Sequence, residues 1–337
     1  MADRGRQPSI YDVAKLADVS HQTVSRVVND HPSTRPETRE RVQKAMETLG
    51  YRPNRAARTL ATSKSHIMGV LVSDVELFGP SSMLRAMEHA AREVGYAAVS
   101  CTIDPLSDES VTSGVEHLTA LDIDGLIVIT PRTEAVAKVR SEFTHIPVVT
   151  VDSMYRLDEL SVSIDNFQAG QIATDHLIGL GHTSILHIAG PSSWFEATAR
   201  AAGYTASMRG HRLTPRIIEG DWSAASGYEI GITLTLDTHK TTAILAANDE
   251  MCMGLLRAFA DRGISVPDQV SVMGFDDVPH AAYLTPPLTT MRVDFHELGR
   301  RAVRVLIDRS TENQKTASEP ILSSLVVRQS TAPPPSP

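Results

Sequence analysis

The apolar positions in the first 50 residues fall into three short runs with helical spacing. Ser9 and Asp12 form a capping-box-like start to the first run, Ser20 can cap the second, and Gly50 can end the third. The apolar faces of the runs consist of Ile10, Val13, Ala14, Leu16, Ala17, Val24, Val27, Val28, Val42, Ala45, Met46 and Leu49. Two short helices joined by a three-residue turn and braced by a third form a helix–turn–helix, so we predict a small all-α headpiece. A three-helix bundle with no nucleic-acid role has the same pattern, and the pattern alone leaves that alternative open.

The next segment, residues 51–65, has a possible helix cap at Asn54 followed by several good helix formers. A helix of this length is not stable alone in water. We therefore predict a hinge that is helical only when another element holds it. The alternative is a plain interdomain linker.

From His66 onwards, short apolar runs alternate with amphipathic runs of helical period. IMGVLVSD is typical of a buried strand and YAAVSCT of a second strand, and SSMLRAMEHAAREVG between them is typical of a helix that ends at Gly95. Later strand-like runs include IPVVTVD, TTAILAAND and SVMGFDD. Repeated strand–helix–strand units predict parallel sheets covered on both faces by helices, and the stretch is long enough for two of them. Ligands in such folds bind outside the carboxyl ends of the strands.

The charge of the chain is unevenly distributed. The net charge is -8, but residues 1–61 hold 11 Lys and Arg against 7 Asp and Glu, which leaves +4 on the head and -12 on the rest. A basic head on an acidic body is expected if only the head contacts phosphates.

Several other classes of protein receive no support. We expect a cytoplasmic protein with no membrane contact, because the chain has neither a secretion signal nor a run of 18 apolar residues. Cys101 and Cys252 match no metal-ligand or redox spacing, which indicates a reducing compartment. No phosphate-binding glycine motif follows a strand and no nucleophile elbow is present, so we expect no cofactor, no metal and no enzymatic activity.

The strings that carry chemistry resemble one family. SIYDVAKLADVSHQTVSRVVN and RPETRERVQKAMETLGYRPNRAARTLA are similar to the DNA-binding headpiece of the lactose-repressor family of bacterial transcription regulators. The family's sugar-binding core is resembled by DGLIVITP, GHTSILHIAGP, EGDWSAASGY, ANDEMCMGLLRA, MGFDD and YLTPPLTTMRVDFHELG. The resemblance implies a two-lobed α/β core of two doubly wound parallel sheets, like that of periplasmic binding proteins.

The same resemblance implies how the chain is divided. The expected parts are a headpiece (1–50), a hinge helix and linker (51–65), an N-terminal lobe (66–164 and 293–322), a C-terminal lobe (165–292 and 323–331) and a disordered tail (332–337).

The resemblance also implies the function. The expected protein is a homodimeric repressor of carbohydrate-utilisation genes that binds a pseudo-palindromic operator in double-stranded DNA and is released by a sugar or glycoside. A sugar-binding transport receptor with the same two-lobed core is the alternative, and the helix–turn–helix argues against it. The chain ends in TAPPPSP without the apolar heptads of a tetramerisation bundle, so we expect the assembly to stop at a dimer.

Candidate DNA-contacting residues follow from helix geometry and from the resemblance. His21, Gln22 and Arg26 share the outward side of the second helix, where Gln can pair with adenine and Arg with guanine. By resemblance these three read bases. The implied phosphate or backbone contacts are Thr23, Ser25, Asn29, Asn54 and Arg55, and the implied minor-groove wedge consists of Ala57 and Leu60.

Candidate ligand-binding residues lie after the strand-like runs. A pocket for a polyhydroxylated ligand needs carboxylate, amide and guanidinium groups for the hydroxyls and aromatic faces for the C–H side. Residues of this chemistry that match ligand-contacting positions of the family are Asp152, Arg200, Trp222, Asn248, Asp276 and Phe295. Glu196 replaces a small hydroxyl residue of the family's lactose-binding pattern, and Phe78 begins a second departure. We include both, and expect them to affect which sugar binds. By resemblance, Trp222 favours a sugar over a purine.

Overall fold

The computed structural model describes residues 8–28, 33–51, 64–130, 133–143, 145–151, 160–236, 241–310 and 319–335. Contacts between residues divide the chain into two compact units, Met1–His66 and Ile67–Pro337.

The headpiece contains the three predicted helices. They are α1 (Ile10–Leu16), α2 (His21–Val28) and α3 (Pro36–Leu49). The Asp12 carboxylate accepts a hydrogen bond from the Ser9 backbone N–H at 2.7 Å, and the Ser9 hydroxyl accepts one from the Asp12 N–H at 3.4 Å. The Ser20 hydroxyl accepts the Thr23 N–H at 3.1 Å, and Gly50 ends α3 with φ at 62°. The predicted caps are therefore the caps of the structure.

The headpiece has a small apolar core of its own. Its fully buried members are Val13, Ala14, Ala17, Val24, Val27, Val42 and Ala45. The prediction that Leu16 faces inward is wrong, because 51% of this side chain is exposed. At about 100° per residue, Leu16 falls at the edge of the stripe centred on Val13, Ala14 and Ala17.

The first sheet of the large unit is entirely parallel. Its strands are β1 (Ile67–Val72), β2 (Ala97–Thr102), β3 (Gly125–Ile129), β4 (Val148–Val151) and β5 (Ser161–Val162), in the spatial order β2-β1-β3-β4-β5. Its helices are α4 (Phe78–Glu93), α5 (Asp108–Thr119) and α6 (Thr133–Glu142). Strands buried on both faces explain the continuous apolar runs in the sequence.

The second sheet is parallel except for one edge strand. Its strands are β6 (Ile185–Ala189), β7 (Arg216–Glu219), β8 (Ala243–Ala246), β9 (Ser271–Asp276), β10 (Thr289–Arg292) and β11 (Ser324–Val326). Their order is β11-β10-β9-β8-β6-β7, with β11 antiparallel to β10. Its helices are α7 (Asn166–Gly179), α8 (Phe195–Gly210), α9 (Ala224–Thr233) and α10 (Asp249–Asp261).

The chain passes between the two sheets after β5, after β10 and again before β11. The last helix, α11 (Phe295–Ser310), returns to the first sheet and packs against α4, where Gly299 lets the two helices approach closely at Ala86. Ile164 and Ile321 form an isolated bridge between two of these crossings. The predicted two-lobed, doubly wound core is confirmed.

The segment for which we predicted disorder, residues 332–337, begins with a hydrogen-bonded residue. The Ala332 carbonyl lies 2.8 Å from Nε2 of His182 and accepts a hydrogen bond from the Ser271 hydroxyl at 3.0 Å. The Ala332 N–H donates to the same hydroxyl. Polar groups of the C-terminal lobe therefore pair with the backbone of Ala332, the first residue of that segment. Residues 336 and 337 lie outside the described part.

No helix in the described part of the chain is long and apolar enough to cross a membrane. The described residues also contain no group of three or more His, Cys, Asp or Glu side chains that could hold a metal ion.

Candidate ligand cavity and DNA-binding face

A cavity of about 660 Å³, including its open mouth, lies between the two lobes at the carboxyl ends of the strands. Seven of the eight predicted ligand-binding residues line it: Phe78, Glu196, Arg200, Trp222, Asn248, Asp276 and Phe295. The eighth, Asp152, lies outside the described residues, although Val151 before it lines the cavity. The sequence thus predicted which distant segments meet.

Arg200, on α8, is the most constrained of these side chains. It is 7% exposed, and its Nε donates to the Asn166 side-chain oxygen at 2.8 Å. Its Nη1 donates to the Ala247 carbonyl, and its guanidinium carbon stacks 3.7 Å from the centre of the Phe275 ring. The remaining nitrogen, Nη2, lies 3.5 Å from Oδ1 of Asp276. These contacts fix the position of the guanidinium group, and Arg200 also lines the cavity.

Two carboxyl groups near Arg200 are shifted by their surroundings. Burial raises the pKa of Asp276 to about 6, against the opposing effect of the Arg200 charge. Burial also raises the pKa of Glu196, on the first turn of α8; the Arg200 charge opposes this rise and the charge of Asp74 adds to it. A carboxylate accepts hydrogen bonds from ligand hydroxyls, and a protonated carboxyl group can also donate one.

Asn248 holds the aromatic wall of the cavity in place. As the N-cap of α10, it accepts the Met251 N–H at 2.9 Å, while its Nδ2 donates to the Trp222 carbonyl at 2.9 Å. Trp222 has φ at 75°, in the left-handed region, and this bond fixes the strained turn. The Trp222 ring packs where a side chain on Gly190 would stand, at the end of β6. Gly190 is a positioning residue that sequence reasoning missed.

Aromatic side chains enclose the cavity from both lobes. Phe78 and Phe295 meet edge to face with ring centres 5.9 Å apart, and Trp194 and Trp222 do so at 5.5 Å. The indole N–H of Trp222 is buried and has no hydrogen-bond partner among the described residues. Such walls suit the C–H faces of a sugar ring.

Asp249, directly after Asn248, was also missed. Its side chain is fully buried behind the cavity and accepts hydrogen bonds from the Thr290 hydroxyl at 2.6 Å and the Val278 N–H at 2.9 Å. Burial, with a contribution from Asp276, raises its pKa to about 8. The available signal was an acidic residue placed directly after a buried strand.

The predicted base readers lie on the exposed side of α2. His21, Gln22 and Arg26 are exposed, whereas Val24 and Val27 are buried on the opposite side. This division of α2 leaves three polar side chains accessible along one face of the headpiece.

The predicted phosphate contacts are placed differently. Thr23 and Ser25 are half-buried, and the Thr23 hydroxyl lies 2.9 Å from that of Ser20, so Thr23 is part of the helix cap. Tyr11, which the sequence analysis did not single out, is 65% exposed, and its ring centre lies 5.3 Å from that of His21. The remaining candidates, Asn29, Asn54, Arg55, Ala57 and Leu60, lie outside the described residues.

Comparison with known proteins agrees with both units. Residues 9–54 match the profile of bacterial regulatory proteins of the lacI family, and residues 174–331 match that of the periplasmic binding protein-like domain. The lactose operon repressor of Escherichia coli K12 is 34% identical over 328 residues, which cover 97% of this chain and 91% of the relative. The ribose operon repressor of the same organism is 30% identical over 92% of this chain and 97% of its own length.

A solved structure gives the same result. A lac repressor dimer bound to operator and the anti-inducer ONPF superimposes with a TM-score of 0.84 at 33% identity, and the match covers 97% of this chain and all of that one. These relatives are transcriptional repressors and not enzymes. The chain belongs to the lacI family of bacterial regulatory proteins.

Proposed function

We propose that this chain is a repressor of carbohydrate-utilisation genes whose hold on its operator is released by a sugar or glycoside. The observation that carries the proposal is the cavity around Arg200, where a fixed guanidinium, a carboxyl group and an amide meet aromatic walls. Paired hydroxyls of a sugar can bridge Arg200 and Asp276, while its C–H faces contact Trp222 and Phe295. Asp152 completes the proposed set.

The headpiece supplies the DNA contacts in this proposal. His21, Gln22 and Arg26 read base edges in the major groove, and Thr23, Ser25 and Asn29 contact the backbone. One recognition helix per subunit reads one half-site, so a homodimer binds a site with two-fold symmetry.

In this proposal, the segment 51–65 transmits the effect of ligand binding to the DNA-binding headpiece. Asn54 and Arg55 lie near the DNA backbone, and Ala57 and Leu60 enter the minor groove at the operator centre. Closure of the lobes on a ligand moves the two N-terminal lobes of the dimer relative to each other. Because each hinge helix is too short to persist alone, a change in their separation melts the pair and releases the heads.

Two measurements test the proposal. Operator sequences selected from random DNA by the full chain should be pseudo-palindromic, and a chain lacking residues 1–61 should remain folded but bind none of them. A screen of mono- and disaccharides should find one that raises the unfolding free energy by about 2.7 kcal/mol at 100 times its Kd. Specific binding by the truncated chain, or a complete absence of saccharide binding, would overturn the proposal.

A further inference from the structure

Two carboxyl groups, one that lines the cavity and one directly after the lining residue Ser73, each have an oxygen with no hydrogen-bond partner among the described residues. Oδ2 of Asp74 and Oε2 of Glu196 are buried, and neither is hydrogen-bonded within the described part of the chain. Asp74 follows β1 in the N-terminal lobe, and Glu196 lies on the first turn of α8 in the C-terminal lobe. Burying a carboxylate oxygen without a donor is costly, so these two oxygens call for a group that the protein does not supply.

The two carboxyl groups are also close in electrostatic terms. Burial is the main cause of the raised pKa of Glu196; the charge of Arg200 opposes the rise, and the charge of Asp74 makes a smaller contribution to it. Like charges near each other repel unless a cation or several hydrogen-bond donors lie between them.

Arg200 does not fill this role. It is the one cationic side chain among the described residues that line the cavity. Two of its nitrogens donate to Asn166 and to the Ala247 carbonyl, and the third faces Asp276. The charge of Arg200 lowers the pKa of Glu196, but Arg200 donates no hydrogen bond to the orphan oxygen of Glu196 or to that of Asp74.

The chemistry of the missing group follows from these needs. A sugar hydroxyl offers one donor and no charge, whereas a primary ammonium offers three donors and a positive charge. An ammonium can therefore bond both orphan oxygens at once, and the bonds are charge-assisted. The ring of Trp194, which lines the cavity, also attracts a cation, whereas the ring of Trp222 already has the Arg200 guanidinium 5.8 Å from its centre.

We propose that the effector of this chain is a saccharide with a basic nitrogen, and that its ammonium group binds between the carboxyl groups of Asp74 and Glu196. This inference rests on the proposed function, because it assumes that the cavity binds a saccharide. Glu196 sets the preference for the amine, and it stands where the family's lactose-binding pattern has a small hydroxyl residue.

Binding affinities of matched ligands distinguish the contribution of the amine from that of the rest of the sugar. The full chain is titrated calorimetrically at pH 7 with glucose, galactose and mannose, their 2-amino and 6-amino derivatives, and the N-acetyl forms of those amines. In at least one set, the amine should bind about ten to a hundred times more tightly than both the parent sugar and the neutral N-acetyl form, because charge-assisted bonds are gained.

Variants assign the preference to the two carboxyl groups. Glu196→Gln should weaken binding of the amine about tenfold and change binding of the neutral sugar about twofold at most. Asp74→Asn should act in the same direction and serves if the first variant does not fold. Glu116→Gln, which removes an exposed carboxylate on α5, is the matched control and should change neither.

The outcomes distinguish the inference from the proposed function. If neutral sugars bind as tightly as their amines, or if both variants keep the amine preference, the inference is wrong while the sugar-binding function stands. If no saccharide of either kind binds, the inference and the proposed function both fail.

Discussion

Nη2 of Arg200 lies 3.5 Å from Oδ1 of Asp276, while the other two guanidinium nitrogens are bonded to Asn166 and Ala247. The distance is longer than that of a tight ion pair, so a ligand hydroxyl can join the two groups without breaking a short bond. The rigid support behind Arg200 means that its position is set before the ligand arrives.

Replacement of Arg200 tests both its structural and its ligand-binding role. Arg200→Ala should lower the stability of the large unit by about 3–5 kcal/mol, because Asp276 loses its buried partner. It should also abolish the effect of the saccharide on DNA affinity. Operator binding without ligand should remain nearly normal, since the headpiece has its own core.

Denaturation curves and fluorescence anisotropy with labelled operator measure these effects. A variant that responds to ligand with normal amplitude at normal concentrations would show that the pocket assignment is wrong. A variant that also loses ligand-free operator binding would show that Arg200 supports the DNA-binding conformation instead.

Gly190→Ala tests how Trp222 is held. The added methyl group would overlap the Trp222 ring, so the ring or the backbone at Gly190 would have to move. The variant should lose about 1–3 kcal/mol of stability and bind the saccharide more weakly. Gly179→Ala, in the same lobe at the end of α7, meets nothing within 4 Å and is the control. Equal ligand affinity in wild type and Gly190→Ala would show that Trp222 is not a contact.

Asp249 should make the stability of the large unit depend on pH. Its pKa is raised from 3.8 to about 8, so the folded state keeps this proton at pH values where the unfolded chain has lost it. The folded state binds more protons in that window, and its stability therefore falls as the pH rises from about 4 to 8, by at most about 1.4 kcal/mol per pH unit. His187 opposes this trend: burial lowers its pKa to about 4, so its contribution makes the folded state more stable as the pH rises from about 4 to 6.5 and is constant above that.

The variant Asp249→Asn isolates the effect. Its amide oxygen can accept the Val278 N–H, and the Thr290 hydroxyl can accept from its amide nitrogen. Urea denaturation of both proteins between pH 5 and 9 should show the variant gaining stability relative to wild type as the pH rises. Parallel stability curves would contradict the raised pKa.

Gln22 should contribute to sequence specificity. Gln22→Ala should cost about 1–3 kcal/mol on the selected operator and little on random DNA, because base contacts specify and phosphate contacts only position. Gln43→Ala removes the same exposed side chain from α3 and should leave both affinities unchanged. Equal losses on operator and random DNA for Gln22→Ala would exclude base reading.

Local signals explain which parts of the fold could be predicted. The headpiece helices followed from caps at Ser9 and Ser20 and from Gly50, since each of these acts within a few residues. By contrast, α8 and α9 are rich in small residues and carry little amphipathic contrast, so their pattern did not mark them as helices.

The candidate site also has residues that the sequence predicted and residues that it did not. Strand ends and family resemblance predicted Arg200 and Asp276, whose side chains meet in the cavity. Gly190 and Asp74 could not be found in that way. Gly190 matters because it leaves room for the ring of Trp222, which is distant in sequence. Asp74 matters because its charge acts on Glu196, which belongs to the other lobe.

The release of operator DNA by a saccharide is tested most directly by measuring DNA affinity in the presence and absence of the bound saccharide. Anisotropy titrations of the selected operator with the full chain would use a saccharide that stabilises the protein against heat. Saturating saccharide should weaken operator binding about 5 to 150-fold and should affect binding to random DNA less. Operator affinity that is unchanged by every stabilising saccharide would contradict the proposed release.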